Sequence, residues 1–287
     1  MSKETMSFRV ETFSNWQSFL EKAQLLLLES EAESNLIWEV GRVSAQNTSS
    51  ARPWSGWLVV GNGKPLLAAL PSVTGYLILS AGKDSACPAL VDHLSALDIS
   101  LNGVSGPETV ASSFAGVWQD TVGVSVELGA SLSFYSAATN ADQKNSQQGF
   151  LRRACPQEGE LLRGWAIDFG AESPRPMDPR SLTRLSEHML GQGNLFVWEE
   201  NEEIRAMGGF GRETPNGLVI NMVFTPKSYR GRGFASALTA SLVREAGRRG
   251  KEFCCLYSEF RSSIRPNLYE QIDFRLAGEF TERAFRA

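Results

Sequence analysis

Apolar side chains along this chain switch between helical and alternating spacing, and the switches mark its elements. Trp16, Phe19, Leu20, Ala23, Leu26 and Leu27 recur at three- and four-residue steps, which predicts an amphipathic helix over 14–30. Short apolar runs at 56–60 (GWLVV), 65–70 (PLLAAL) and 75–80 (GYLILS) predict strands, joined by tight turns such as Gly61-Asn62-Gly63. A mixed helical region leads to another strand over 122–136. The stretch 140–149 (NADQKNSQQG) has almost no apolar side chain and reads as a connection between two halves.

The second half repeats the order. Helical stretches around Leu161–Phe169 and Ser181–Leu190 precede strand patterns at 194–200, 203–213 and 217–225. The segments GWLVVGNGKPLLAAL and NLFVWEENEEIRAMG share a strand, a polar turn and a second strand, which favours a duplicated unit over one large domain. After 217–225, Pro226 stops the strand because it has no N–H to donate. Apolar positions then recur at Phe234, Ala237, Leu238, Leu242 and Ala246, and Gly250 closes that helix. Only this half carries the glycine–arginine segment between strand and helix; the first half continues from its strand as AGKDSACPAL.

The chain's 287 residues are 42% apolar and 21% charged, the balance of a folded protein with a real core. A net charge of −4 excludes a surface that is basic throughout, so any anion site is local. No apolar run is long enough to span a membrane, and Glu4, Glu11 and Asn15 interrupt any signal-peptide core. Cys87, Cys155, Cys254 and Cys255 form no CxxC pair, so reduced thiols in a cytoplasmic protein are expected, with no metal site.

The local exception is SYRGRGFASAL, residues 228–238. Gly231 and Gly233 stand where the backbone N–H groups of a helix start are unpaired, and glycine lets an anion approach them closely. From Lys227 to Lys251 there are seven basic residues and one acid. The lack of a Gly-Lys-Ser/Thr closure excludes a P-loop, and the three-glycine dinucleotide fingerprint is missing. Taken alone, the segment points to a phosphate and no further, with a tight turn and a nucleic-acid contact as the competing readings.

Together, VFTPKSYRGRGFASAL and LYSEFRSSIRPNLYEQIDF resemble the acyl-CoA site of the GNAT family of N-acetyltransferases. The family's Arg/Gln-x-x-Gly-x-Gly/Ala signature falls on Arg230, Gly231, Arg232, Gly233, Phe234 and Ala235. The resemblance implies an α/β fold of tandem GNAT-like domains, each a mixed, mostly antiparallel sheet flanked by helices, with splayed strands at the acyl-CoA site. Residues 1–140 resemble a degenerate N-terminal copy, 141–150 a linker, and 151–287 the catalytic domain.

The implied reaction is transfer of an acyl group, acetyl first, from acyl-CoA to an amine of a small molecule or peptide in a ternary complex. Met222, Val223, Phe224 and Thr225 are implied to contact the pantetheine arm, and the amides from Gly231 to Ser236 the pyrophosphate. Tyr269 matches the tyrosine that protonates the departing thiolate. Glu203 and Glu259 are candidate bases, and Trp165, Phe169 and Glu172 candidate acceptor-pocket residues. The pattern departs at Ser262 and Pro266, where relatives carry asparagine, although Asn267 follows and is kept as a cofactor contact. Asp273 stands where a glycine is common. No nucleic acid or membrane partner is implied, and monomer and homodimer stay open. The competing reading is an acyl-CoA-binding regulatory module that kept the fold without the chemistry.

Overall fold

In the computed structural model, which describes residues 7–46, 55–140, 147–173, 177–258 and 268–286, these periods resolve into two units. One unit is Met1–Leu132 with Gly278–Ala287, and the other is Ser133–Ala277.

The first unit runs β1 (Phe8–Phe13), α1 (Trp16–Glu29), α2 (Asn35–Gln46), β2 (Gly56–Gly61), β3 (Lys64–Pro71), β4 (Tyr76–Leu79), α3 (Cys87–Ala96), β5 (Gly103–Pro107), α4 (Glu108–Val122) and β6 (Ser125–Ala138), the last up to residue 132. Its sheet is completed by β12 (Arg275–Arg286), from Gly278 on, in the order β1-β2-β3-β4-β5-β12-β6. Only β4 and β5 pair in parallel among the strands with a described register. Strand alternation sorts the core to two faces. Trp57, Val59 and Leu67 pack with α3 and α4, whereas Leu58, Val60 and Ala68 pack with α1 and α2. Helix α1 starts at Asn15, whose side chain accepts from the Ser18 N–H, and buries Phe19, Ala23 and Leu27 one turn apart.

The second unit repeats the succession: β7 (Phe150–Arg153), α5 (Gly159–Ala171), α6 (Pro179–Gly191), β8 (Leu195–Glu200), β9 (Glu203–Glu213), β10 (Gly217–Phe224), α7 (Phe234–Arg248) and β11 (Phe253–Ser258). Its order is β6-β11-β10-β9-β8-β7, with β6 entering from residue 133. The resemblance between the two hairpin sequences is matched in backbone. Asn62-Gly63 and Asn201-Glu202 both turn with two residues at positive φ, the form whose twist suits a tight hairpin.

The division differs from the pieces expected at 1–140 and 151–287 in one respect. β6 and β12 each have residues in both units, and the first unit takes up the chain's last stretch, 278–287, so it is not one unbroken piece of sequence. Of the expected linker, residues 141–146 lie outside the described residues, and Phe150 already begins β7.

Candidate functional site

The site is built where β10 leaves its neighbours. β10 pairs in parallel with β11 only from Gly217↔Phe253 to Val219↔Cys255, although β10 runs on to Phe224 and β11 to Ser258. On the other side, the register with β9 jumps between Asn221 and Phe224, so Met222 and Val223 form a bulge. Met222 has φ +56°, a left-handed conformation costing a side-chain-bearing residue on the order of 1–2 kcal/mol. Its side chain is buried, and the Asn221 Oδ1 accepts the Met222 N–H at 2.7 Å, which offsets part of that cost. Strain of this kind persists where the surrounding structure imposes it.

After Phe224 the chain passes Thr225 and Pro226 into a single 3₁₀ turn, Lys227–Tyr229. Thr225 Oγ1 is buried with no hydrogen-bond partner among the described residues. Gly231 and Gly233 then take φ +75° and +83°, and Gly233 serves as the N-cap of α7 without any side-chain cap. The first turn of α7 therefore offers the amides of Phe234, Ala235 and Ser236 with no side-chain cap from the N-cap residue. A Cβ on Gly231 would meet nothing within 4 Å, so the approach is open. Phe234, Ala237, Leu238 and Leu242 anchor the helix in the core of this unit, which fixes where its N-terminus points.

Five of the seven cations counted from 227 to 251 are ion-paired, three of them to acids distant in sequence. Arg230 donates to Glu172 at 2.5 Å and to the Thr225 carbonyl at 2.8 Å, and Lys227 lies 3.8 Å from the other Glu172 oxygen. Arg248 and Arg249 bind Glu245, and Lys251 binds Glu213. Arg232, exposed between the two glycines, is the signature-loop cation with no ion pair among the described residues. A linear charge count misses this because acids on α5 and β9 fold back onto the segment.

Tyr269 caps the short 3₁₀ turn Glu270–Ile272, its carbonyl accepting from Ile272 and Phe274. Its ring sits 6.1 Å from that of Tyr135 and 6.0 Å from that of Phe274. Burial pushes the phenol up to about 12, so it remains a protonated donor across the neutral range. Asp273 follows with φ +62°, which accounts for the preference for glycine there.

The other expected residues divide. Trp165 packs its ring 6.1 Å from Phe224, Phe169 joins the same apolar cluster, and Glu172 caps the C-terminus of α5. These three lie on one side of the end of β10, with Glu172 turned to the signature loop. Glu203 sits instead at the β8–β9 hairpin, ion-paired to Arg205 at 2.5 Å. Arg205 lies over the Tyr229 ring at 4.6 Å and also faces Glu200 at 3.7 Å. Glu259 and Asn267, like Ser262 and Pro266, lie outside the described residues.

The sequence reading passed over Arg212 and Tyr257. Arg212 stands opposite Val219, next to the β9 bulge residue Gly211, and its guanidinium lies 5.4 Å over the Tyr257 ring. The available signal was Gly211, the last glycine of GGFGRE, since a glycine within a strand often marks a bulge.

In the first unit the equivalent place is closed. A Cβ on Gly106 of β5 would stand 3.0 Å from both the Cβ and the carbonyl of Leu79, so β4 and β5 remain in contact at their ends. Pro88 lies in the first turn of α3, and the Asp84 carboxylate accepts the Ser85 N–H just before it.

Residues 160–272 match the model of the acetyltransferase (GNAT) family. Among solved structures, a GNAT-family acetyltransferase from Colwellia psychrerythraea aligns at 14% identity and TM-score 0.57, covering 97% of this chain and 100% of the other. A GCN5-related N-acetyltransferase from Sphaerobacter thermophilus aligns at 14% and 0.58, covering 97% and 95%. A Drosophila protein aligns at 10% and 0.63, covering 96% and 98%. At such identities these structures establish the fold over nearly the whole chain. No curated protein matches the sequence. No described helix is long and apolar enough to cross a membrane, and the described residues hold no cluster of metal-ligating groups.

Proposed function

Residues 160–272 form a GNAT acetyltransferase domain, and from that premise we propose that the protein is an acyl-CoA-dependent N-acyltransferase, with acetyl-CoA as donor. The observation that carries the reading is the uncapped first turn of α7, opened by two left-handed glycines beside the parted ends of β10 and β11. It suits a pyrophosphate joined to an extended arm. In this reading the amides of Gly231 to Ser236 hold the pyrophosphate with Arg232 beside it, each charge-assisted bond contributing about 1.5–3 kcal/mol. Met222 to Thr225 flank the pantetheine, with the orphaned Thr225 Oγ1 as one donor or acceptor for it.

Acyl-CoA supplies an activated carbonyl. The chain's residues do the rest. The bulge amide of Val223, or that of Phe224, serves as donor to the oxygen that gains charge as the amine attacks. Tyr269 gives its proton to the sulfur that leaves, since burial keeps the phenol protonated. Glu203 is held by Arg205 at the hairpin, so we assign removal of the amine's proton to Glu259, next in sequence after β11.

The test is calorimetry with acetyl-CoA. The account expects one site per chain, since the first unit's counterpart is closed, and no binding to Gly233→Asp, whose carboxylate would stand in the anion's place. Two sites, or wild-type affinity in the variant, would overturn it. Thiol release with an amine panel then reads the transfer.

A further inference from the structure

Beside the parted strands lies a pair of donors with no acceptor among the described residues. Strand alternation places Arg212, Val219, Asn221, Cys255 and Tyr257 on one face of the second unit's sheet, opposite the face of Leu218, Ile220, Cys254 and Leu256. On that face α5 and α6 pack over β8, β9 and the far end of β10, through Leu195, Val197, Met207, Met222 and Phe224. The cluster stops short of Asn221, Arg212 and Tyr257, which are half-buried.

Arg212 has no ion pair and no hydrogen bond among the described residues. What holds it is the Tyr257 ring, a contact that orients a guanidinium without neutralising it. Tyr257 is in turn packed against Phe134, 5.1 Å between ring centres. Two positions along β10 from Val219, the partner of Arg212, stands Asn221. Its Oδ1 is committed to the Met222 N–H, which leaves the amide nitrogen, beside Gly211, as a donor. The bulge at Gly211 makes room: a Cβ there would stand 3.0 Å from the Asn221 Cβ and 3.1 Å from its Nδ2. One fixed positive charge and one neutral donor thus share a half-open face. Arg212 is level with the last β10–β11 pair and Asn221 lies two residues past it, beside the parted strand ends where the acyl-CoA arm was proposed to lie.

We propose that the amine acceptor carries a carboxylate, and that Arg212, steadied by Tyr257 and assisted by Asn221, binds it. This deepens the acyltransferase reading and rests on it. A planar guanidinium matches a carboxylate in two parallel hydrogen bonds. The lone charge suits a monoanion better than a phosphate dianion, because Lys251, Arg205 and Arg230 are all engaged with carboxylates of the protein.

The experiment titrates the full-length protein, in the presence of CoA, with primary amines in matched sets: amino acids, their carboxamides and their phosphate analogues. Binding of the carboxylate member at least tenfold tighter than its amide is expected, with the preference lost in Arg212→Ala and partly kept in Arg212→Lys. Amides bound as well as acids, phosphates bound best, no binding by any amino acid at millimolar concentration, or an undiminished preference in a folded Arg212→Ala each overturn the proposal. Thiol release from acetyl-CoA, run in parallel, separates the two claims. Carboxylate preference without release sinks the transferase reading, and with it the acceptor role, while leaving Arg212 a carboxylate site; release without preference sinks the carboxylate proposal and leaves the transferase reading standing.

Discussion

Replacing Gly233 by alanine isolates the backbone demand of the α7 N-terminus, because the structure leaves room for the new methyl. Its nearest neighbour would be the Gln147 Oε1 at 3.4 Å, ordinary van der Waals contact. The cost comes from φ +83°, on the order of 1–2 kcal/mol for a residue with a Cβ, less the few tenths that alanine regains by restricting the unfolded chain. Gly250, just past the other end of the same helix, has φ +78° and nothing within 4 Å of an added Cβ. Gly250→Ala therefore carries the same backbone penalty far from the loop and serves as its control. Both variants should melt about 2–4 °C lower per kcal/mol lost. Only Gly233→Ala should also weaken CoA binding, by roughly tenfold, since each 1.4 kcal/mol spent on reshaping the loop is a factor of ten. Isothermal calorimetry reads the affinities and differential scanning fluorimetry the stabilities. Equal CoA affinity in the two variants would refute the claim that this left-handed glycine shapes the anion site.

Tyr269→Phe should lower kcat by roughly a hundredfold or more while CoA affinity stays near wild type; unchanged turnover removes Tyr269 as the acid. The raised phenol also gives a pH signature. The folded protein holds the proton while the unfolded chain loses it from about pH 10. Stability should therefore fall by up to about 1.4 kcal/mol per unit as pH rises toward 12, and Tyr269→Phe should flatten that fall in a denaturation series. Glu172→Gln frees Arg230 and Lys227 from a half-exposed carboxylate. It should change stability by less than about 1 kcal/mol yet steepen the salt dependence of CoA affinity, read by calorimetry at several ionic strengths. An unaltered slope would mean that the released cations do not reach the phosphates.

What could be read from sequence is what is decided locally. Helix α1, the strands of both hairpins and the end of β10 at Pro226 follow from spacing and turn chemistry within a few residues. The glycine–arginine loop was legible for the same reason, since its left-handed glycines and the helix after them are neighbours in the chain. β1, β7 and β12 went unread because each is short or alternates with many polar residues, and their faces are chosen by strands elsewhere. The sharing of β6 and β12 between units is a pairing decision that no local pattern encodes. The charge count misjudged Arg230, whose Glu172 partner is brought in by α5. Arg212 was invisible for a related reason: its position over Tyr257 depends on a bulge in β9 and on the register of three strands.

Amide hydrogen exchange with and without acetyl-CoA tests the central claim most directly. The account predicts slowed exchange on adding acetyl-CoA in peptides spanning Gly231 to Ser236 and Met222 to Thr225, with no change around Asp84 to Leu90, the equivalent helix start in the first unit. Protection at Asp84 to Leu90 instead, or none at Gly231 to Ser236 under saturating acetyl-CoA, would contradict it.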